Sequence, residues 1–145
     1  MTDRSGGCLC GGVRYRVTAP VDHLDACHCG MCRKASGGIA LGTNLPADAI
    51  VWERDGTLRT YRSSDWAERG FCVTCGSSLF WRMTAPGTAE LSLMAGTLDD
   101  LSGAMLTTEI YVDHKPDGYA FAGETRTMTE AEVVAAFAAT EGDGA

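Results

Sequence analysis

Residues 27–32 read CHCGMC, three cysteines and a histidine within six positions. Two more short groups stand apart from it, CLC at residues 8–10 and CVTC at residues 72–75. Thiols clustered in this way are soft ligands that suit zinc, and zinc sites come in two kinds, closed structural and open catalytic. CVTCGSSL has the form of a zinc-ribbon knuckle: two cysteines straddle a tight turn, and Gly76 lets backbone amides approach the sulfurs. A single knuckle offers two ligands, and CLC is the natural source of two more. Cys8, Cys10, Cys72 and Cys75 then form a four-thiolate site with Zn–S distances near ~2.3 Å.

Cys27, Cys29 and Cys32 remain, and with them all seven cysteines are used. Three protein ligands with one position open is the layout of catalytic zinc, whereas four is the layout of structural zinc. The four-plus-three division predicts two zinc ions per chain, one of each kind. A closed second site is the competing reading, with His23, His114 or a carboxylate as fourth ligand. His28 is the nearest histidine, but in an extended segment its side chain points away from both flanking thiolates.

Three thiolates on a divalent cation leave a site formally negative. Arg33 and Lys34 follow Cys32 directly, and Arg69 precedes the second knuckle. These cations either offset that charge and hold a substrate carboxylate, or form a solvated basic turn. Arg69 also has local acids, Glu68 and Asp65. His28 reads as a proton shuttle beside the metal or as a surface histidine in a turn. Ser36, Gly37 and Gly38 bring backbone amides toward a ligand or simply permit a bend, and Tyr119 is placed to line an opening.

Other cysteine chemistries fit less well. The odd count and the one- or two-residue spacings oppose a disulfide framework. A thioredoxin-type C-x-x-C opens a helix, but CVTC runs into the strand-like SSLFWRM. The usual ferredoxin spacings are absent.

The elements that must position these groups are mostly strands. GVRYRV sets Val13, Tyr15 and Val17 on one face and Arg14 and Arg16 on the other, the period-two pattern of a half-buried strand. Similar runs occur at GIALG, AIVWER, LRTYRS, SLFWRM, AELSLMAG and TEIYVD, separated by turn-rich stretches such as GTNLPADA, RDGT and HKPDG. Trp52, Trp66, Phe80 and Trp81 read as packing residues between strands. A short helix is expected at RKAS. A second is expected over about 130–140, where Thr129 and Glu132 make a capping box, Val133, Val134 and Phe137 share a face, and Gly142 stops the turn. The tail EGDGA is expected to fray.

The chain has 145 residues, 45% hydrophobic and 21% charged, which fits a single globular domain over residues 1–145. A net charge of −7 argues against nucleic acid and against an acidic membrane surface. MTDRSGGCLC lacks an apolar signal region and no run reaches membrane-spanning length, so the expectation is a cytoplasmic protein.

The succession GGCLCGGVRY, CHCGMCRKASG, RGFCVTCGSSLFW and EIYVDHKPDGY resembles the family of glutathione-dependent formaldehyde-activating enzymes, which includes the centromere-protein-V-like proteins. The likeness covers about residues 5–120. It implies a mainly β, β-tent zinc-binding fold of stacked antiparallel sheets, here followed by a short C-terminal helix. It also implies a structural zinc on Cys8, Cys10, Cys72 and Cys75 and a catalytic zinc on Cys27, Cys29 and Cys32. The implied activity is that of a carbon–sulfur lyase similar to S-(hydroxymethyl)glutathione synthase, with a small thiol such as glutathione and an aldehyde, formaldehyde, as partners. Where many members carry a histidine before the Ile-aromatic pair, this chain has Glu109. The alternative function is a non-enzymatic, zinc-stabilised protein-binding module.

Overall fold

The computed structural model describes residues 3–143 and groups them in two compact units. The first runs to Leu24 and resumes over Leu41–Met105; the second holds Asp25–Ala40 and the chain from Leu106 onward. The strands in chain order are β1 (Arg4–Gly7), β2 (Arg14–Val17), β3 (His23–Cys27), β4 (Ala40–Pro46), β5 (Ile50–Arg54) and β6 (Leu58–Arg62). They continue as β7 (Ala67–Cys72), β8 (Ser78–Met83), β9 (Glu90–Met94), β10 (Met105–Ile110) and β11 (Arg126–Met128). Helix α1 spans Gly30–Ser36 and helix α2 spans Glu130–Asp143. The protein is mainly β with a short C-terminal helix, as its alternating pattern requires. Among the described residues no helix is long and apolar enough to cross a membrane.

In the first unit, β1, β2 and β5 form an antiparallel sheet, and β4, β9, β8, β7 and β6 follow one another as antiparallel neighbours. Val13, Tyr15 and Val17 are fully buried, as their spacing predicts, and they share one core with Ile50, Leu79, Phe80, Leu91 and Leu93. Trp52 packs between Tyr15 and Phe80, with ring centroids 5.6 and 5.8 Å away. Two strands carry their buried face on small residues. A Cβ on Gly70 of β7 would sit 2.2 Å from the Phe80 ring, and one on Gly6 of β1 would sit 2.4 Å from the Tyr15 hydroxyl.

Two packing expectations are corrected. GTNLPADA is not all turn: Thr43 to Pro46 continue β4 and pair with Leu93 to Glu90, because Thr43 and Leu45 face the core. The turn is confined to the 3-10 segment Ala47–Ala49. Trp66 is 54% exposed and meets Trp81 edge-on instead of joining the core. Glu68 pairs with Arg82 of the neighbouring strand at 2.7 Å.

In the second unit β10 pairs in parallel with β11, and Glu109 stands opposite Thr127. A parallel pair needs a crossover of a dozen or more residues, and the stretch 111–125 supplies it. Helix α1 starts at Gly30, earlier than RKAS. Cys29 is its N-cap, and the Cys29 Sγ accepts the Cys32 backbone N–H at 3.3 Å. Gly37 ends it in the left-handed region (φ 77°), where its N–H reaches the Arg33 carbonyl. Helix α2 starts at the expected Thr129–Glu132 pair: the Glu132 N–H donates to the Thr129 hydroxyl, which donates to the Glu132 carboxylate. Its expected apolar face is only Val133, since Val134 and Phe137 are 55% and 43% exposed. Adjacent residues on a helix cannot share a narrow stripe. The helix continues through Gly142 to Asp143, and residues 144–145 of the tail lie outside the described residues.

Candidate metal centres

Two thiolate groups assemble, one in each unit. In the first, the ligand atoms of Cys8, Cys10, Cys72 and Cys75 all lie within 4.8 Å of one another. Cys8 and Cys10 flank a bend after β1, while Cys72 ends β7 and Cys75 closes the turn into β8. The Sγ of Cys10 is 3.6 Å from that of Cys8 and 3.8 Å from that of Cys72. A tetrahedron with Zn–S of ~2.3 Å has edges of about 3.8 Å, so the donor set fits zinc. None of these cysteines is in a disulfide.

Hydrogen bonds reach the sulfurs of this site unequally: the Gly12 N–H favours the Cys10 thiolate, but the Cys8 thiol and burial outweigh it and push Cys10 up to about 11, whereas Cys72 and Cys75 are lowered. The Val13 N–H donates to the Cys8 Sγ at 3.1 Å and the Gly12 N–H to the Cys10 Sγ at 3.4 Å. Cys75 is pulled down to a pKa of about 5, first by the Ser77 hydroxyl at 3.2 Å and then by the Ser77 backbone N–H. The Thr57 hydroxyl, 3.3 Å from the Cys72 Sγ, is the leading cause of a lowered Cys72 pKa. Gly76 sits at φ 77°, the conformation the knuckle turn requires. Sequence reasoning missed Thr57 and Ser77, although a hydroxyl two residues beyond a knuckle cysteine is a usable signal.

In the second unit, Cys27, Cys29 and Cys32 bring their sulfurs within 4.8 Å of one another. Cys27 ends β3, Cys29 caps α1 and Cys32 lies in its first turn. Cys29 is the hydrogen-bond acceptor of the trio. The Cys27 and Cys32 thiols, then the backbone N–H groups of Cys32 and Met31, hold its pKa far below the ordinary thiol value, and Cys27 is pushed up. Among the described residues no fourth His, Cys, Asp or Glu joins this group. The donor set is soft, convergent and one short of a tetrahedron, which fits zinc with a position to spare.

His28 is neither a surface histidine nor a member of the thiolate group. It is 3% exposed, and its Nε2 is 2.8 Å from the Glu109 Oε1, so the surface reading gives way to a buried pair. The Thr125 hydroxyl donates to the Glu109 Oε2 at 2.5 Å. That bond, and next His28, hold the Glu109 carboxyl below the usual carboxylate range despite its burial. The departure noted at position 109 is thus a working contact. Tyr111, just beyond β10, adopts φ 55° and ψ 41°, a left-handed conformation that costs a non-glycine residue about 1–2 kcal/mol. Burial and then the charges of Cys29 and Cys27 push its phenol up, so its hydroxyl keeps its proton at neutral pH. Sequence reasoning did not single out Tyr111.

Beside α1 lies a cavity of about 400 Å³ whose walls include Arg33, Lys34, Gly37, Gly38, Pro116 and Tyr119. The expectation that Tyr119 lines an opening holds. Lys115 fixes that wall: its ammonium donates to the Pro116 and Tyr119 carbonyls and lies 5.0 Å from the centre of the Tyr119 ring. A third cluster, Asp113, His114 and Glu130, is exposed. Its geometry follows from helix capping, since the Asp113 Oδ1 accepts the Glu130 N–H and the His114 Nε2 meets the Glu130 Oε2 at 2.9 Å.

With this geometry in hand, comparison with known proteins is decisive. Residues 3–114 match the family described as glutathione-dependent formaldehyde-activating enzyme. The chain belongs to this family. A Halomonas elongata protein named as a putative glutathione-dependent formaldehyde-activating enzyme is 31% identical over 77% of this chain and 76% of its own. A Schizosaccharomyces pombe protein named an uncharacterized lyase is 28% identical over 92% of this chain and 96% of its own. A Rhodobacter sphaeroides crystal structure shares the fold with a TM-score of 0.55 at 21% identity, covering 71% of this chain and 99% of that one. The family match spans both thiolate groups and Glu109 and ends at His114, so Thr125 and α2 lie beyond it. Membership places the chain in an enzyme family.

Proposed function

We propose that the protein is a zinc-dependent carbon–sulfur lyase that makes and breaks a thiol–aldehyde adduct, in the manner of an S-(hydroxymethyl)glutathione synthase. The observation that carries this reading is the unequal gathering of thiolates, four in one group and three in the other. Cys8, Cys10, Cys72 and Cys75 would hold a structural zinc, and Cys27, Cys29 and Cys32 a catalytic one. A zinc held by Cys27, Cys29 and Cys32 would supply Lewis acidity, lowering the pKa of an incoming thiol and polarising a carbonyl oxygen. In the synthetic direction the S–H bond breaks, a C–S bond forms at the carbonyl carbon and the proton ends on the new hydroxyl; the lyase direction reverses each change.

The chain's own residues supply charge and orientation. Arg33 and Lys34, on the cavity wall one and two residues beyond Cys32, suit the carboxylates of a thiol such as glutathione. They also lie in the last turn of α1, where cations are favourable. The Tyr111 hydroxyl, protonated beside the thiolates, can donate a hydrogen bond and cannot serve as a base.

A binding role, with zinc shaping a β-surface, is favoured by Leu9 and Val73, which are 90% and 58% exposed in the two cysteine turns. A zinc count combined with a thiol-plus-aldehyde panel separates the two. Wild type should carry two zinc ions and accumulate adduct, whereas Cys32→Ser should stay folded with one zinc and lose the activity. Cys32→Ser retaining full turnover, or wild type with one zinc and none, would overturn the lyase reading.

A further inference from the structure

The buried His28–Glu109 pair is unexpected on energetic grounds. A carboxylate 8% exposed and an imidazole 3% exposed both lose hydration, and an apolar pair of the same size would fill the space at lower cost. The His28 Nδ1 adds to the cost, being buried with no hydrogen-bond partner among the described residues. What an apolar pair could not do is fix a ring in one orientation.

That orientation bears on the thiolates. Along the extended stretch 26–29, Ala26 and His28 are buried while Cys27 and Cys29 alternate to the opposite face. Two consecutive residues at the end of β10 grip His28: its backbone N–H donates to the Ile110 carbonyl at 3.0 Å, and its Nε2 meets the Glu109 carboxylate. The ring lies near Tyr119 and Phe121, with centroids 6.4 and 6.1 Å away. With backbone and side chain of His28 both held, little freedom remains for the cysteines on either side. Thr125, at the far end of the crossover, holds the second carboxylate oxygen in turn.

We propose that Glu109 is a positioning residue, which acts through His28 to hold Cys27 and Cys29 at the spacing a cation needs. The inference rests on the reading that Cys27, Cys29 and Cys32 bind zinc. Partners bonded directly to a metal ligand are worth roughly 10–100-fold in metal affinity when removed, and a residue that clamps the backbone between two ligands is expected to fall in the same range. The four-thiolate group lies elsewhere in the chain and owes nothing to Glu109, so it provides an internal reference.

The test is competition for zinc by a chromophoric chelator, with the two ions of each molecule followed separately, in wild type, Glu109→Ala, Glu109→Gln and Thr125→Val. Glu109→Ala should release the second ion roughly 10–100-fold more readily than wild type and the first ion unchanged. Glu109→Gln still offers an oxygen to the His28 N–H and should recover most of the loss, while Thr125→Val should fall between. Equal retention of the second ion in Glu109→Ala overturns the proposal, and so does parallel loss of both ions, which marks a general loosening. If Glu109→Ala does not fold, the order wild type, Glu109→Gln, Thr125→Val decides it, and indistinguishable affinities refute it. Wild type that never holds a second ion sinks the catalytic-zinc reading together with this one; two ions in wild type and an indifferent variant sink this one alone.

Discussion

At the scale of single residues, hydrogen bonds decide what the ionisable groups do. Glu109 stays a carboxylate although buried because it accepts from Thr125 and is paired with His28. His114 is the exposed counterpart. Its pKa is raised first by the Glu130 carboxylate it bonds, and further by Asp113. A raised folded-state value means that the pair's contribution to stability is present below the unfolded pKa of about 6.5 and lost as pH rises through the higher folded value. The expected outcome is a His114 imidazole titration by NMR with a midpoint above 6.5, brought back toward that value by Glu130→Gln. A midpoint unmoved by Glu130→Gln would show that the bond is not formed in solution. Neither His28 nor Glu109 could be paired from the sequence, because 81 positions separate them. Sequence gives a side chain's chemistry and its face on a strand; a partner that far along the chain is set by β10 lying next to β3.

Among the elements, strands built on large alternating residues were legible and strands built on small ones were not. β2 and β8 show their buried faces in Tyr15, Val17 and Phe80. β7 hides its face in Ala67, Gly70 and Cys72, which carry little hydrophobic signal. The missing Cβ of Gly70 makes room for the Phe80 ring, beside a register shift between Gly70 and Phe71. Gly70→Ala should therefore destabilise the protein by about 1–3 kcal/mol in urea unfolding, as overpacking does. Gly56→Ala, where a Cβ meets nothing within 4 Å, should stay within about 0.5 kcal/mol of wild type. Equal midpoints for the two variants would mean that the β7–β8 packing relaxes freely. In α2 the Thr129–Glu132 pair was readable because it is local, and the buried face was not, because burial depends on what the helix meets.

For the whole molecule, the first thiolate group would be the dominant crosslink once it holds zinc. A zinc there would tie residues 8–10 to residues 72–75, worth on the order of 10–16 kcal/mol against a domain stability of roughly 5–15. Cys75→Ser, or a strong chelator, should collapse the β-type circular dichroism and the cooperative melt. A sharp thermal transition that survives complete removal of zinc would show that the apolar core around Tyr15, Leu79 and Leu93 suffices.

The sequence by itself determined the donor chemistry, the four-plus-three grouping of cysteines, the mainly β character and both helices. These follow from residue type and from spacings of a few positions, where chain geometry leaves little choice. Tertiary structure alone decided which carboxylate meets His28 and which hydroxyls reach the sulfurs. It also set Tyr111 in a left-handed turn beside the thiolates and gave Arg33 and Lys34 a cavity to face. Each of these depends on strand order and on a parallel crossover, and the free energy that selects them comes from burial summed over distant residues, which no short window of sequence contains.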